Sequence, residues 1–297
     1  MYPHTSSLLP VLTGLMLVFT SCSSQDDPTP EPRPVRISLT ASAGQGTRTV
    51  LANDGSSVHF QPGDALSVFD FEGTNQKFLS QLSKVSRSAT FTGEAMLNIS
   101  KTLFAVYPFD ADTRYYYKGN KHYIKATVPT VQKAVKGSFD PKANISVGSF
   151  VGNSSQSSYS VTLYNACALA EVSISRSLKC HKVVLSSVAD TPLPLSGTRF
   201  FEPYQPESVQ QPENEPENDS SSDQFPDVEV TSPSPYVSLV APDGEVLDGT
   251  YYIALWPQTT KVSIELQDAH GTVIKKRTSK DPVEFARSVI TSLGSFQ

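Results

Sequence analysis

Five histidines and three cysteines are the side chains of this sequence best suited to metal binding or nucleophilic catalysis. The histidines stand singly, with no H-E-x-x-H motif, no paired cysteine spacing and no G-x-S-x-G elbow. Zinc hydrolysis and serine catalysis therefore have no motif support. We interpret each histidine as a partly exposed strand or turn residue: His4, His59, His122, His181 and His270. The sequence predicts no catalytic residue, no metal site, no cofactor and no enzymatic activity.

A pair of carboxylates offers the nearest approach to a cation site. FDADTR, residues 109–114, sets Asp110 and Asp112 two residues apart, as calcium loops do. The segment lacks the glycine and the later bidentate glutamate of an EF-hand loop, so we favour a solvated turn. No glycine-rich strand-to-helix segment that could cradle a phosphate occurs either.

An aromatic run forms the candidate ligand platform. YYYKGNKHY, residues 115–123, begins with Tyr115, Tyr116 and Tyr117. Such a run binds a glycan by ring stacking or a partner protein by burying ring edges. The alternative, which we favour, is a twisted hairpin that stacks its tyrosines across strands around a turn at Gly119-Asn120.

The charge and the cysteines narrow the partners and the compartment. The net charge is -5, no charged residue precedes Cys22, and no basic patch compensates, which argues against a nucleic-acid partner. Cys167 and Cys180 could form a disulfide outside the cytoplasm. They lie thirteen residues apart on segments predicted to pair as strands, so they need not face each other, and we leave the bridge open.

The first residues indicate a lipoprotein signal. Residues 8–19 are almost wholly apolar, too short to span a bilayer and typical of a signal h-region, although no Lys or Arg precedes them. The small pair Thr20-Ser21 then precedes Cys22, as lipoprotein signal peptidase requires. We predict a signal peptide over residues 1–21 and lipidation of Cys22. The alternative is a buried apolar helix with an incidental cysteine.

A tether follows the cysteine. Residues 22–34 alternate proline with polar side chains and predict a disordered linker. Its SSQDD start resembles the acidic export tag that Bacteroidota place behind lipidated cysteines bound for the cell surface. A lipoprotein terminus carries more than one acyl chain, which is enough for stable anchoring. We therefore expect a surface-exposed lipoprotein of the outer membrane.

Short segments in which apolar and polar residues alternate make up most of the chain, and they must position the candidate residues described above. RISLTASA places Ile37, Leu39 and Ala41 on one face of a half-buried strand. Similar strands recur along the chain, almost all of them followed by Gly, Pro, Asn or Asp, and no long amphipathic helix interrupts them. This pattern favours an all-β chain of sandwich type.

The length allows two domains behind the leader. We predict an N-terminal β-sandwich over residues 35–165 and a C-terminal β-sandwich over residues 166–297. Residues 202–235 are dense in Pro, Glu, Asn and Ser with little to bury, so they predict a disordered insert in the second sandwich.

Several phrases, taken in order, resemble the fimbrillin family of Mfa-like and FimA-like surface proteins. They are RISLTASAGQGTRTVLANDGSSVHFQPGDALSVFD, LFAVYPFD, VPTVQKAVKGSFDP, YNACALAEVSIS and YYIALWPQTTKVSIELQDAHG, and together they cover about residues 35–296. The resemblance implies two tandem transthyretin-like β-sandwich domains. It also implies, for fimbrial subunits, polymerisation by strand exchange with other subunits of the same type. A sandwich that lacks one strand exposes unpaired backbone groups and an apolar groove, which a segment from a neighbour fills.

The resemblance also assigns roles to particular residues. The removable strand is residues 36–44, and the bond after Arg48 is the candidate site of proteolytic processing; the alternative is that Arg48 is an ordinary exposed loop residue. RSVITSLGSF, residues 287–296, is either a donor strand or the last core strand, with Val289, Thr291 and Leu293 on one face. We favour the core strand, which favours a tip, accessory or anchor role over a repeating stalk subunit.

These observations predict a non-enzymatic subunit of a type V pilus-like fimbrium, or an accessory or anchor lipoprotein, that assembles by β-strand exchange and supports adhesion. The expected location is the outer membrane surface through the lipid anchor, or the fimbrium after processing. The alternative function is a surface lipoprotein that binds a glycan or another ligand of a host or bacterial surface.

Overall fold

A computed structural model describes residues 33–44, 59–70, 72–98, 101–153, 155–203 and 232–297. Within these ranges the chain consists of strands and turns, with one 3₁₀ turn at Arg176–Leu178, and the prediction of an all-β chain is confirmed. None of the described residues forms a helix long and apolar enough to cross a membrane. The predictions for the signal peptide, Cys22, Arg48 and most of the 202–235 insert lie outside the described residues.

Among the described residues, ten strands precede the predicted domain boundary. They are β1 (Val35–Ala43), β2 (Ala65–Phe69), β3 (Asn75–Ser80), β4 (Ser88–Ala95), β5 (Thr102–Tyr107), β6 (Arg114–Lys118), β7 (Lys121–Val128), β8 (Val131–Lys133), β9 (Ser146–Val151) and β10 (Ser158–Asn165).

Seven of these strands form one sheet that closes on itself, in the order β1, β10, β9, β5, β2, β3, β4. Alternation explains its interior, since residues two apart on a strand face the same side. Ala89, Phe91 and Ala95 of β4 are buried, and they share one core with the apolar row of β1. The resemblance implies a removable strand over residues 36–44, and in the structure the corresponding strand β1 lies between β4 and β10 of this closed sheet.

In the described parts of the second half, residues 166–203 and 232–297, ten further strands follow. They are β11 (Ala168–Ile174), β12 (Lys182–Ser187), β13 (Gly197–Phe201), β14 (Tyr236–Val240), β15 (Gly249–Leu255), β16 (Gln258–Thr260), β17 (Val262–Gln267), β18 (Val273–Thr278), β19 (Val283–Phe285) and β20 (Ile290–Phe296).

Two sheets enclose the core of the second half. One has the order β15, β11, β20, and the other has the order β18, β17, β12, β14, β8. Both contribute inward side chains to a single apolar cluster, among them Val172, Leu185 and Ile264. Strands from the two halves also pair directly, β7 with β13 and β8 with β14. The division into domains at residues 165 and 166 stays a prediction.

One five-residue turn occurs twice. DFEGT joins β2 to β3, and DAHGT joins β17 to β18. In each turn the aspartate carboxylate accepts hydrogen bonds from the backbone N–H groups two and four residues later. The distances are 3.1 and 2.9 Å for Asp70 and 2.8 and 2.9 Å for Asp268. These bonds fix the two tight hairpins that set the register of their strands.

Candidate functional site

β1 is hydrogen-bonded along both of its edges. It runs antiparallel to β4, with Val35 opposite Ala95 and Ser42 opposite Ser88. It runs parallel to β10, with Ser38 opposite Ser158 and Ala43 opposite Leu163. A strand held on both sides is an interior strand of the sheet, so its removal would leave two unpaired edges at once.

The side chains of β1 alternate as the sequence predicts. Ile37, Leu39 and Ala41 are 1%, 0% and 0% exposed and belong to the core of the first half. The intervening side chains face outward, and the hydroxyl oxygens of Thr40 and Thr90 lie 3.2 Å apart there. β1 therefore contributes both backbone bonds and an apolar row to the same site.

Aromatic rings line the space that β1 fills. Leu39 lies opposite Phe91 of β4 and Tyr159 of β10. Phe91 packs edge-on against Phe60, with ring centroids 5.6 Å apart. The ring of Tyr159 lies 5.1 Å from that of Phe150, and its hydroxyl accepts a hydrogen bond from the Asn153 backbone at 3.2 Å. The rings beside Leu39 thus also contact neighbours that do not belong to β1.

The tyrosine hairpin has the turn that the sequence predicts. Gly119 and Asn120 connect β6 to β7 with φ values of 57° and 60°. Two successive left-handed residues form a type I′ turn, whose twist matches that of the strands it joins.

The three tyrosines lie on two faces of this hairpin. The Tyr115 hydroxyl lies 2.7 Å from Nδ1 of His122, and its ring stacks at 5.4 Å on Phe104 in the core. Tyr117 shares that face, with its ring 4.9 Å from the His122 ring. Tyr116 lies on the opposite face, edge-on to Phe200 of β13 at 5.4 Å. The three rings therefore do not present one common surface.

The last strand lies against β11 in the second half. Ile290–Phe296 runs parallel to β11, and Phe296 is buried in the core. Leu293 packs partly buried against the same core, and the Thr291 hydroxyl donates to the backbone oxygen of Glu284 at 3.0 Å. Val289 precedes the strand and is 47% exposed.

The two described cysteines are separate free thiols. Cys167 is buried in a cluster with Trp256, whereas Cys180 is buried in the core of the second half. Burial raises the pKa of the Cys167 thiol to about 12, although the Ile145 backbone N–H donates to its sulfur at 3.4 Å. A thiol with such a raised pKa is a poor nucleophile at neutral pH.

No three His, Cys, Asp or Glu side chains among the described residues gather where they could hold a metal ion. FDADTR forms a turn in which the Asp110 carboxylate accepts a hydrogen bond from the Asp112 backbone at 2.9 Å. The Arg114 guanidinium donates to the backbone oxygen of Thr113 at 2.9 Å in the same turn.

A cleft of about 640 Å³ was not predicted from the sequence. Its lining includes Asp64, Lys77, Tyr107, Phe109 and Lys142. Burial raises the pKa of the Asp64 carboxyl, although bonds from the Gln61 backbone and the Tyr107 hydroxyl oppose that shift. The charged residues of this lining are two lysines, Lys77 and Lys142, and two aspartates, Asp64 and Asp110.

Comparisons with known proteins give low similarity over a long span. No family model and no curated protein matches the sequence. The chain is similar in structure to a candidate cell adhesion protein from Bacteroides uniformis, with 10% identity, coverage of 87% of this chain and 92% of that chain, and a TM-score of 0.42. A candidate cell adhesion protein from Bacteroides ovatus gives 13% identity, 88% and 92% coverage, and a TM-score of 0.45.

A fimbrial assembly protein from Parabacteroides distasonis gives 12% identity, coverage of 88% of this chain and 91% of that chain, and a TM-score of 0.36. Identities and TM-scores at this level carry no functional argument.

Proposed function

We propose that the chain is a fimbrial subunit that assembles by exchange of β1 after processing, or an accessory or anchor lipoprotein that keeps both β1 and its lipid. The observation that carries the proposal is the double-sided pairing of β1, together with its buried row at Ile37, Leu39 and Ala41. β1 stands between the predicted tether and the segment that contains Arg48. Cutting after Arg48 would separate β1 from the remaining strands without breaking any of them.

The chemistry of the vacated groove defines its next occupant. β10 and β4 run in opposite directions on the two sides of β1. An incoming strand that restores both sets of hydrogen bonds has to run in the direction of β1. It also needs three apolar side chains at alternate positions to fill the places of Ile37, Leu39 and Ala41. Burying such a row contributes about 1.5–3 kcal/mol for each large aliphatic side chain.

The last strand, β20, is a poor candidate for filling the groove that β1 leaves. β20 is paired with β11, and Leu293 and Phe296 pack on the second core, so donating it would open that core. This supports the interpretation of residues 287–296 as a core strand. It favours a tip, accessory or anchor role, in which the chain accepts a strand from a different subunit.

The test compares wild type with Arg48→Ala after treatment with an arginine-specific protease. The wild type should be cut after Arg48 and should then form detergent-resistant ladders with fimbrial subunits that carry a free donor strand. Arg48→Ala should stay uncut and form no ladder. A cut chain that binds no subunit, although it remains folded, would contradict assembly by strand exchange.

A glycan-binding lipoprotein is the second candidate function, and the outer face of the β13-β7-β6 sheet favours it. Tyr116 and Phe200 lie together there, and the Lys125 ammonium lies 5.8 Å from the centre of the Phe200 ring. An edge-on pair of aromatic rings beside a cation suits a sugar that carries a carboxylate or sulfate group. A glycan array should show binding that Tyr116→Ala abolishes and that Tyr117→Ala, on the other face, preserves. Equal loss in both variants would contradict a site on this face.

A further inference from the structure

The outer edge of β20 is covered by side chains instead of by another strand. β20 is the last strand of its sheet, with β11 on one side. On the other side, the Arg277 guanidinium donates to the backbone oxygens of Leu293 at 3.1 Å and Ser295 at 3.0 Å. The Lys275 ammonium donates to the backbone oxygen of Gln297. Three outward oxygens in succession are therefore satisfied by two cations of β18.

Lys275 and Arg277 occupy positions on the core-facing side of β18, where apolar side chains are expected. Lys275 pairs with Leu266 and Arg277 pairs with Ile264, and both of these β17 residues are buried in the core. Side chains of directly opposed residues share a face, so Lys275 and Arg277 project from the core side of β18. Their aliphatic stems can cover apolar surface while their charged ends reach β20. The Arg277 guanidinium also lies 4.3 Å from the centre of the Phe296 ring.

The two halves of the chain therefore close their strands in different ways. In the first half, backbone hydrogen bonds join every neighbouring pair of strands around the closed sheet. In the second half, β18 and β20 are the end strands of two sheets, and cationic side chains bridge them. Charged residues that point inward on an edge strand are a known means of preventing edge-to-edge pairing.

We propose that Lys275 and Arg277 form an edge cap that denies the outer edge of β20 to the same edge of a second copy of this chain. The partner is a second copy because two identical strand edges can pair antiparallel about a twofold axis. The N–H groups of each edge then donate to the C=O groups of the other. In the uncapped edge, the backbone groups of Leu293 and Ser295 would face the partner. The inference uses neither β1 nor Arg48, so it does not depend on the proposed function.

The experiment compares Arg277→Ala and the double variant Lys275→Ala/Arg277→Ala with wild type. Lys276→Ala is the matched control, because it removes one positive charge from the same strand, and the Lys276 ammonium pairs with Glu265 of β17 at 2.7 Å. Molar mass by light scattering over a concentration series measures association. Wild type and Lys276→Ala should stay monomeric over the concentration series. The double variant should dimerise, with a dissociation constant at least about tenfold lower than that of either protein.

Hydrogen exchange locates the contact. In the associating variants, the segment that contains Leu293 and Ser295 should exchange more slowly as the protein concentration rises. Arg277→Lys keeps the charge and the stem but loses the two-pronged donor, so it should associate to an intermediate degree and provides a milder variant if the alanine variants fail to fold.

Three results would overturn the proposal. The first is folded, monomeric variants at every concentration, including Arg277→Lys. The second is association of Lys276→Ala to the same degree, since that would make net charge the cause. The third is faster exchange of β20 that does not change with concentration, because Lys275 and Arg277 would then only hold the strand in place.

Discussion

Leu39 gives the sharpest prediction for the strand that we expect to be exchanged. Its side chain is 0% exposed and lies opposite Phe91 and Tyr159, so Leu39→Ala removes buried methyl groups and leaves a cavity. Such changes cost about 2–5 kcal/mol in the free energy of unfolding. In a chain cut after Arg48, the same loss should weaken the binding of β1 to the remaining strands by at least about 30-fold.

The assay has two parts, with Thr40→Ala as the control on the same strand. Denaturant unfolding of the intact chain should show the full loss for Leu39→Ala and a change within about 1 kcal/mol for Thr40→Ala, which is exposed. Competition of labelled β1 peptides for the cut chain should show the same ranking. Equal binding of the Leu39→Ala and Thr40→Ala peptides would refute the idea that the buried row holds β1 in place.

Three further predictions concern packing, thiols and pH. Gly148→Ala should destabilise the chain by about 1–3 kcal/mol in a denaturant titration, because its Cβ would lie 2.3 Å from the backbone oxygen of Thr162. Cys167 and Cys180 should resist a thiol reagent in the native protein and react after unfolding, as mass spectrometry would show. Backbone N–H donors lower the pKa of Asp268 below its unfolded value of 3.8, so its contribution to stability is present above pH 3.8 and is lost as the pH falls through the lower folded value. Asp268→Asn should therefore destabilise the chain at neutral pH and differ less from wild type in acid.

The sequence predicts local structure well in this chain. The alternation of Ile37, Leu39 and Ala41 predicts an inward row, and all three are buried. Gly119-Asn120 predicts the hairpin turn, which only residues tolerant of a left-handed backbone adopt readily. The first pattern reflects the two-residue period of a strand, and the second reflects the backbone dihedral angles of a turn. Both properties are determined within a few residues of sequence.

Long-range pairing is where the sequence alone does not suffice. β1 lies parallel to β10, more than a hundred residues later, and nothing in the alternation of either strand specifies that partner. The cap by Lys275 and Arg277 likewise depends on β20 lying beside β18. The sequence signal of the cap is a pair of cations at positions of β18 that face the core. This signal can be recognised only when it is known which face of β18 lies toward the core.

The tyrosine run also shows that the sequence predicts local structure but not long-range contacts. Three successive tyrosines on a strand must alternate between two faces, so the run could not form one platform on a single hairpin strand. The partner of Tyr116 on the outer face is Phe200, which belongs to β13, and only the pairing of β7 with β13 brings it there.

Native mass spectrometry of the chain cut after Arg48 tests the central claim most directly. On incubation with an excess of isotopically labelled β1 peptide, the account predicts that the bound segment is replaced by the labelled one while the remaining strands stay folded. A cut chain that keeps its original segment indefinitely, with no labelled peptide bound, would contradict the claim that β1 is an exchangeable strand.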